Sequence, residues 1–188
     1  MTKTEQQDKY KKFLNTDFTV FDLETSGLDP VKDEILEIAA IKMRGEEIID
    51  RFESLVRPTK AITREVEKIH GLNEVYLLVN GRDLGEVLAD FTSFIGESIV
   101  VGHNIREFDW LFILNSLKRL TKPVLNNKII DTLELSRKLL SLPRYNLSTV
   151  SQNFGYEHKD AHRAMPDTEI NAKVFIELMK LLLTKNKE

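Results

Sequence analysis

The chain has 188 residues, 41% of them hydrophobic and 30% charged, which suits one globular domain with a sizeable core and is short for two. A formal net charge of −3 argues against a coat protein that binds nucleic acid through a global basic field, but leaves room for an enzyme that grips a chain end locally. With no cysteine, disulfides, thiolate zinc sites and cysteine nucleophiles are excluded together, and no apolar run approaches the ~20 residues of a membrane span.

Residues 1–15 are polar and lack the apolar segment of a signal peptide, so they read as a loosely held lead-in to a single domain over 16–184 that works in the cytoplasm. The first strand is expected from Phe18 through Asp22, four apolar or β-branched positions followed by an acid. Asp22 and Glu24 stand two apart, so on a strand both carboxylates share one face, and Thr25, Ser26 and Gly27 end the element straight after them. Two further strands are expected over 34–45 and 47–58, joined tightly at Arg44 and Gly45 and antiparallel to the first. The pattern then turns helical. A short helix over 62–69 stops at Gly71, and a longer one over 83–95 carries Leu84, Val87, Leu88, Phe91 and Ile95 on one stripe behind an Asp83 N-cap. Strands over 98–104 and 128–132 alternate with helices over 108–120 and 133–140, the last capped by Asp131 and Glu134. A short helix over 148–154 and a long one opened by Pro166 complete the chain before a charged tail. This order defines an α/β fold, a mixed five-stranded sheet with helices on both faces.

Polar residues recur at element ends. His103 and Asn104 end the fourth strand, Asp109 starts the next helix, His162 lies on a loop, and Asp167 sits in the first turn of the last helix. If strands one and four are neighbours, Asp22, Glu24, Asp109 and Asp167 converge at one end of the sheet. Four such carboxylates repel one another unless cations intervene. Two Mg²⁺ or Mn²⁺ ions about 3.5–4 Å apart would cancel that charge and support in-line phosphoryl displacement. Oxygen-only ligands suit magnesium better than zinc, and His162 beside them would suit a general base near neutral pH.

Taken together these motifs resemble a known family. FDLETSGLD resembles the first motif of the DEDDh (DnaQ-like) 3′–5′ exonucleases, GHNIREFDW the second, and HRAMPD the third, with IHGL and IIDTLEL similar to two of the family's side features. The likeness runs from Phe18 to Leu182, and the type it most resembles is the proofreading exonuclease (epsilon-subunit type) of bacterial DNA polymerase III. It implies an RNase H-like fold and metal-dependent release of nucleoside monophosphates from a 3′ end with two Mg²⁺ or Mn²⁺ ions. It also implies Asp22, Glu24, Asp109 and Asp167 as metal ligands, His162 as general base, and Thr25 beside the terminal nucleotide. Asn104 would orient Asp109 or contact substrate. The second motif departs from the family's H-N-A-x-F-D: Ile105 replaces alanine, and one extra residue separates Asn104 from Phe108. Thr168 stands where the family often has alanine.

Each residue alone also has an ordinary explanation. A strand D-x-E is commonly a surface pair, and Asp109 and Asp167 would complement helix dipoles. That explanation does not account for His162 five residues before Asp167. His103 reads as a strand-end histidine satisfied by backbone, His70 and His158 as structural or exposed, Trp110 as core, and Asp131 as a cap rather than a fifth ligand. Arg106, Arg144 and Arg163 read as surface charges or phosphate contacts. The substrate expected is the 3′ end of single-stranded nucleic acid, DNA ahead of RNA, with a DNA polymerase as a partner and no membrane. The alternatives are an exoribonuclease and a non-catalytic nucleic-acid-end binder that partners a polymerase.

Overall fold

The computed structural model describes residues 3–158 and 162–184. The first two residues of the lead-in and the charged tail beyond 184 lie outside that range. Five strands form one sheet in the order β3-β2-β1-β4-β5: β1 (Asp17–Thr25), β2 (Ile35–Arg44), β3 (Glu47–Leu55), β4 (Ile99–Gly102) and β5 (Ile129–Asp131). β1 lies at the centre, antiparallel to β2 and parallel to β4, while β2–β3 is antiparallel and β4–β5 parallel. The neighbouring of the first and fourth strands, on which the convergence of the acids depends, is thus present.

The period of two along β1 assigns each side chain to a layer. Phe21 and Leu23 join Phe91 of α4 (Leu84–Ile95) and Trp110 of α5 (Asp109–Arg119) on one face. Phe18 and Val20 point the other way, onto Phe175 of α8 (Ala164–Thr184) and Phe13 of α1 (Lys3–Leu14). Asp22 and Glu24 continue the Phe18–Val20 row, so they fall on the α8 side of the sheet. The pairing with β2 shifts register between Glu24 and Thr25, an irregularity of the kind that β-bulges often make beside functional sites.

The lead-in differs from expectation, for residues 3–14 form the helix α1. Its mean composition is polar, yet Phe13 is buried against Phe18 and Phe175 as its apolar anchor, and Gln6 Nε2 donates to Leu183 O and Tyr10 OH to Glu46 Oε1. The β2–β3 turn accommodates it closely. Gly45 has φ 58°, its N–H donates to Thr16 O, and an added Cβ would lie 2.6 Å from Leu14 Cα. Gly45→Ala is therefore expected to lower stability by about 1–2 kcal/mol, read as a fall in Tm of roughly 2–8 °C.

Two short helices, α2 (Arg64–His70) and α3 (Glu74–Asn80), follow the meander. The second escaped the sequence reading because Val75, Tyr76, Leu78 and Val79 are all exposed, so no amphipathic stripe announces it. The remaining helices, α6 (Thr132–Leu139) and α7 (Leu147–Asn153), pack on α8. Asp131 caps α6 by accepting from the Leu133 and Glu134 N–H groups, and Trp110 lies in the core, both as read from the sequence. Among the described residues no helix is long and apolar enough to cross a membrane.

Candidate active site

At the C-terminal end of β1 the core stops and a cleft of about 370 Å³ begins. Asp22, Glu24, Thr25, His103, Asn104, Asp109, His162 and Asp167 all contribute to its walls. Asp22 and Glu24 arrive from the strand, and Asp167 from the first turn of α8. One oxygen of each of these three carboxylates lies within 4.8 Å of the others, the only such acid group among the described residues. The structure therefore brings together three of the four expected acids as a tight set.

Asp109 stands beside them and is held differently. At the start of α5, its Oδ1 accepts from the Leu23 N–H at 3.2 Å, so its carboxylate is tied to the strand that carries the other two acids. The loop before it contains the extra residue noted in the sequence. Asn104 takes φ 63°, and the side chain of Ile105 packs over Gly102 so closely that a Cβ there would lie 2.7 Å away. Asp131 then clamps the loop: Oδ1 accepts from Asn104 N–H at 3.0 Å and Oδ2 from Arg106 N–H at 3.3 Å, besides capping α6. The longer loop is in this way tied down between β4 and α5, and Asp109 remains at the cleft.

The third motif is anchored through a buried acid on β2. Glu37, 1% exposed, is the register partner of Glu24 and accepts from Arg163 Nη2 at 2.8 Å, Arg163 Nε at 3.2 Å and Ala164 N–H at 3.1 Å. Arg163 is thereby committed to a buried partner, whereas Arg106, at the surface, donates to Ile129 O at 2.7 Å and pairs with Glu134. Arg144 is exposed. Thr168 is buried, with its hydroxyl within reach of both Ala39 O and Ala164 O, so it ties α8 to β2. His162 is exposed at the rim with φ 69°, and its N–H donates to Asp167 Oδ2 at 3.2 Å. Thr25 donates its hydroxyl to Gly27 O at 2.7 Å, shaping the turn that leaves β1.

The histidines divide by their contacts. His103 bonds Thr132 Oγ1 at 3.0 Å and Tyr145 O at 2.8 Å, which makes it a structural link, and burial lowers its pKa. His70 accepts from Leu72 N–H through Nδ1 in the turn closed by Gly71. His158 was read from sequence as structural or exposed. Its side chain is buried and its Nε2 bonds Asp167 Oδ1, which agrees with the first of those readings and adds the partner. The only signal in the sequence was a second imidazole in the same stretch as HRAMPD, and no motif flagged it.

Electrostatics set the state of the acids. Burial, and then the charges of Asp109, Asp167, Glu24 and Glu37, push the Asp22 carboxyl well above its ordinary range. Glu24 is raised to about 8, by burial first and Asp167 next. Asp109 is raised to about 7, because burial outweighs the N–H donors of Asp109 itself and Leu23. Carboxyls with such values hold protons at neutral pH until something positive replaces them. A set made wholly of oxygens, open on one side to a cleft, fits a hard divalent cation.

A central strand ending in paired acids, met by a third acid from the last helix, offers oxygen ligands of the kind that hold divalent cations for phosphoryl transfer. Residues 19–175 match the RNase T exonuclease family, and the chain belongs to that family. DNA polymerase III subunit epsilon of Aquifex aeolicus is 35% identical over 173 residues, covering 92% of this chain and 85% of that protein. DNA polymerase III PolC-type of Thermotoga maritima is 36% identical over 170 residues, 90% of this chain but 12% of that much longer protein. Among solved structures, E. coli exonuclease I in complex with a dT13 oligonucleotide superposes with a TM-score of 0.79 at 20% identity, over 87% of this chain and 41% of that one. A further exonuclease I structure gives 0.80 at 22% identity, over 90% and 41%. These likenesses establish the RNase H-like fold expected from the motifs.

Proposed function

We propose that this exonuclease removes nucleoside monophosphates from the 3′ end of single-stranded DNA by hydrolysis at a site for two Mg²⁺ or Mn²⁺ ions. The observation that carries the reading is the set of Asp22, Glu24 and Asp167 oxygens within 4.8 Å of one another, in a cleft that His162 and Asp109 also line. Asp22, Glu24, Asp109 and Asp167 would hold the cations. When bound, these supply Lewis acidity and charge neutralisation for phosphoryl displacement. His162, exposed at the rim, takes the proton of the attacking water as the new oxygen–phosphorus bond forms. The bond from phosphorus to the preceding 3′ oxygen breaks, and that oxygen leaves as a hydroxyl, taking a proton from solvent water. Thr25 and Asn104 lie on the walls where the terminal nucleotide would be seated, and a cleft of about 370 Å³ is within the size of a small-ligand pocket. The two relatives are a subunit and a large form of DNA polymerase III, which supports DNA as substrate, proofreading beside a polymerase as the setting, and the cytoplasm as the place.

Digestion of matched 5′-labelled single-stranded DNA and RNA, with Mn²⁺ or Mg²⁺, tests the reading. The expected result is a ladder shortening from the 3′ end, faster on DNA, and absent with EDTA or in Asp167→Ala. Faster loss of the RNA would make this an exoribonuclease. No cleavage of either strand, alone or beside a polymerase, would leave a binding role.

A further inference from the structure

We infer that His158 is a positioning residue for the Asp167 carboxylate, set in place by the hydroxyl of Ser148 on α7. The inference rests on the metal-site reading above. His158 Nε2 bonds Asp167 Oδ1, and its Nδ1 lies 2.8 Å from Ser148 Oγ. The His158 side chain is 5% exposed, so these contacts are made away from bulk water.

The direction of the bond to Asp167 follows from the carboxylate. An ionised carboxylate only accepts, so Nε2 carries the ring hydrogen and donates it to Asp167. Nδ1 meets the Ser148 hydroxyl at 2.8 Å, a group that both donates and accepts and so holds the ring from its other side. Ser148 thus fixes the orientation of the ring that faces Asp167. The Asp167 carboxylate is held from two directions, because the His162 N–H donates to Oδ2 at 3.2 Å. Each oxygen keeps a further lone pair for a cation, and one of them already faces Asp22 and Glu24 within 4.8 Å. His158 does not line the cleft, whereas His162 does. The two imidazoles of this stretch therefore divide the work: His162 faces the substrate, and His158 orients a ligand from behind.

Helix α7 gains a role by the same route. Its Ser148 stands one residue inside the helix, whose N-cap Asn146 accepts from Thr149 N–H. The rigid first turn of α7 is in this way connected through one imidazole to the first turn of α8. Outer-shell partners of this kind orient metal ligands, and their loss costs about 10–100-fold in metal affinity or activity.

Calorimetric titration of the purified protein with Mn²⁺ alone, without nucleic acid, provides the test. His158→Ala is expected to weaken Mn²⁺ binding about 10–100-fold. His158→Gln, whose amide nitrogen can stand where Nε2 stands and donate to Asp167, is expected to recover most of that loss. Ser148→Ala is expected to fall between the wild type and His158→Ala. A side chain that merely packs would lower Tm in both His158 variants and leave the Mn²⁺ affinities alike. Mn²⁺ affinity unchanged in His158→Ala, or lost equally in His158→Gln, would overturn the inference while the metal reading stands. A wild-type protein that binds no Mn²⁺ would end both.

Discussion

Asp22→Asn should abolish exonuclease activity and, in the same protein without metal, raise the melting temperature. The two effects have one cause. Asp22 lies at the end of the central strand, where burial and four neighbouring carboxylates oppose its ionisation. At pH 8 the metal-free protein must either leave charges crowded there or keep protons that the unfolded chain has already released, and either course costs stability. Asparagine keeps the shape and removes the charge, so the metal-free variant should gain about 1–3 kcal/mol, or roughly 2–12 °C in Tm. Catalysis should suffer in the opposite sense. A carboxylate that helps place positive charge against a transition state acts in a water-poor site, where losing one such group costs on the order of 10²–10³-fold or more in turnover. A 5′-labelled single-stranded DNA assay beside a thermal melt in EDTA reads both. Activity within tenfold of wild type would remove Asp22 from the site. Lost activity with lowered Tm would mean that Asp22 holds the fold rather than the metal.

The cost of burying such acids also bears on how much of the candidate site was legible in the sequence. A strand that ends on Asp22 and Glu24 breaks the rule that strand residues facing a helix are apolar, and a departure of that kind is informative because it is costly. Its consequences were legible in order. Parity put both acids on one face, the motif spacing put Asp109 and Asp167 at helix starts, and the strand pattern supplied the sheet that joins them. What the sequence did not reveal lies in contacts between distant segments. Nothing local marks Glu37 as the buried partner of Arg163, since an acid within ILEIAAIK reads as an ordinary polar position. Nor does anything local mark His158, whose importance depends on α7 coming to rest beside α8. Helix α1 was missed for a related reason. Its anchor is one phenylalanine in a polar run, and one residue makes no periodicity. The extra residue between Asn104 and Phe108 is the reverse case. It stood out in the sequence, yet Asp131 ties the loop down and Asp109 keeps its place at the cleft.

Metal and pH should act on this protein as a coupled pair, and thermal melts at two pH values would reveal it. Glu24 has an ordinary value of 4.5 and a folded-state value of about 8, so between those limits the folded protein holds a proton that the unfolded chain has given up. Stability from this source is complete below about pH 4.5 and is lost as pH rises through 8; Asp109, raised from 3.8 to about 7, acts in the same direction. The Tm of the protein in EDTA should therefore fall from pH 5.5 to pH 8. Mn²⁺ should reverse the trend, because the carboxyls must shed their protons to bind it. With Mn²⁺ fixed at about 100 times the dissociation constant found at pH 8, stabilisation should be about 2.7 kcal/mol, or roughly 5–11 °C. At pH 5.5 each displaced proton lowers apparent affinity about tenfold per pH unit below the group's value, so the same Mn²⁺ should shift Tm by less than about 2 °C. An equal shift at both pH values, with a flat profile in EDTA, would show that these acids are ionised without metal and that no cation is needed to hold them together.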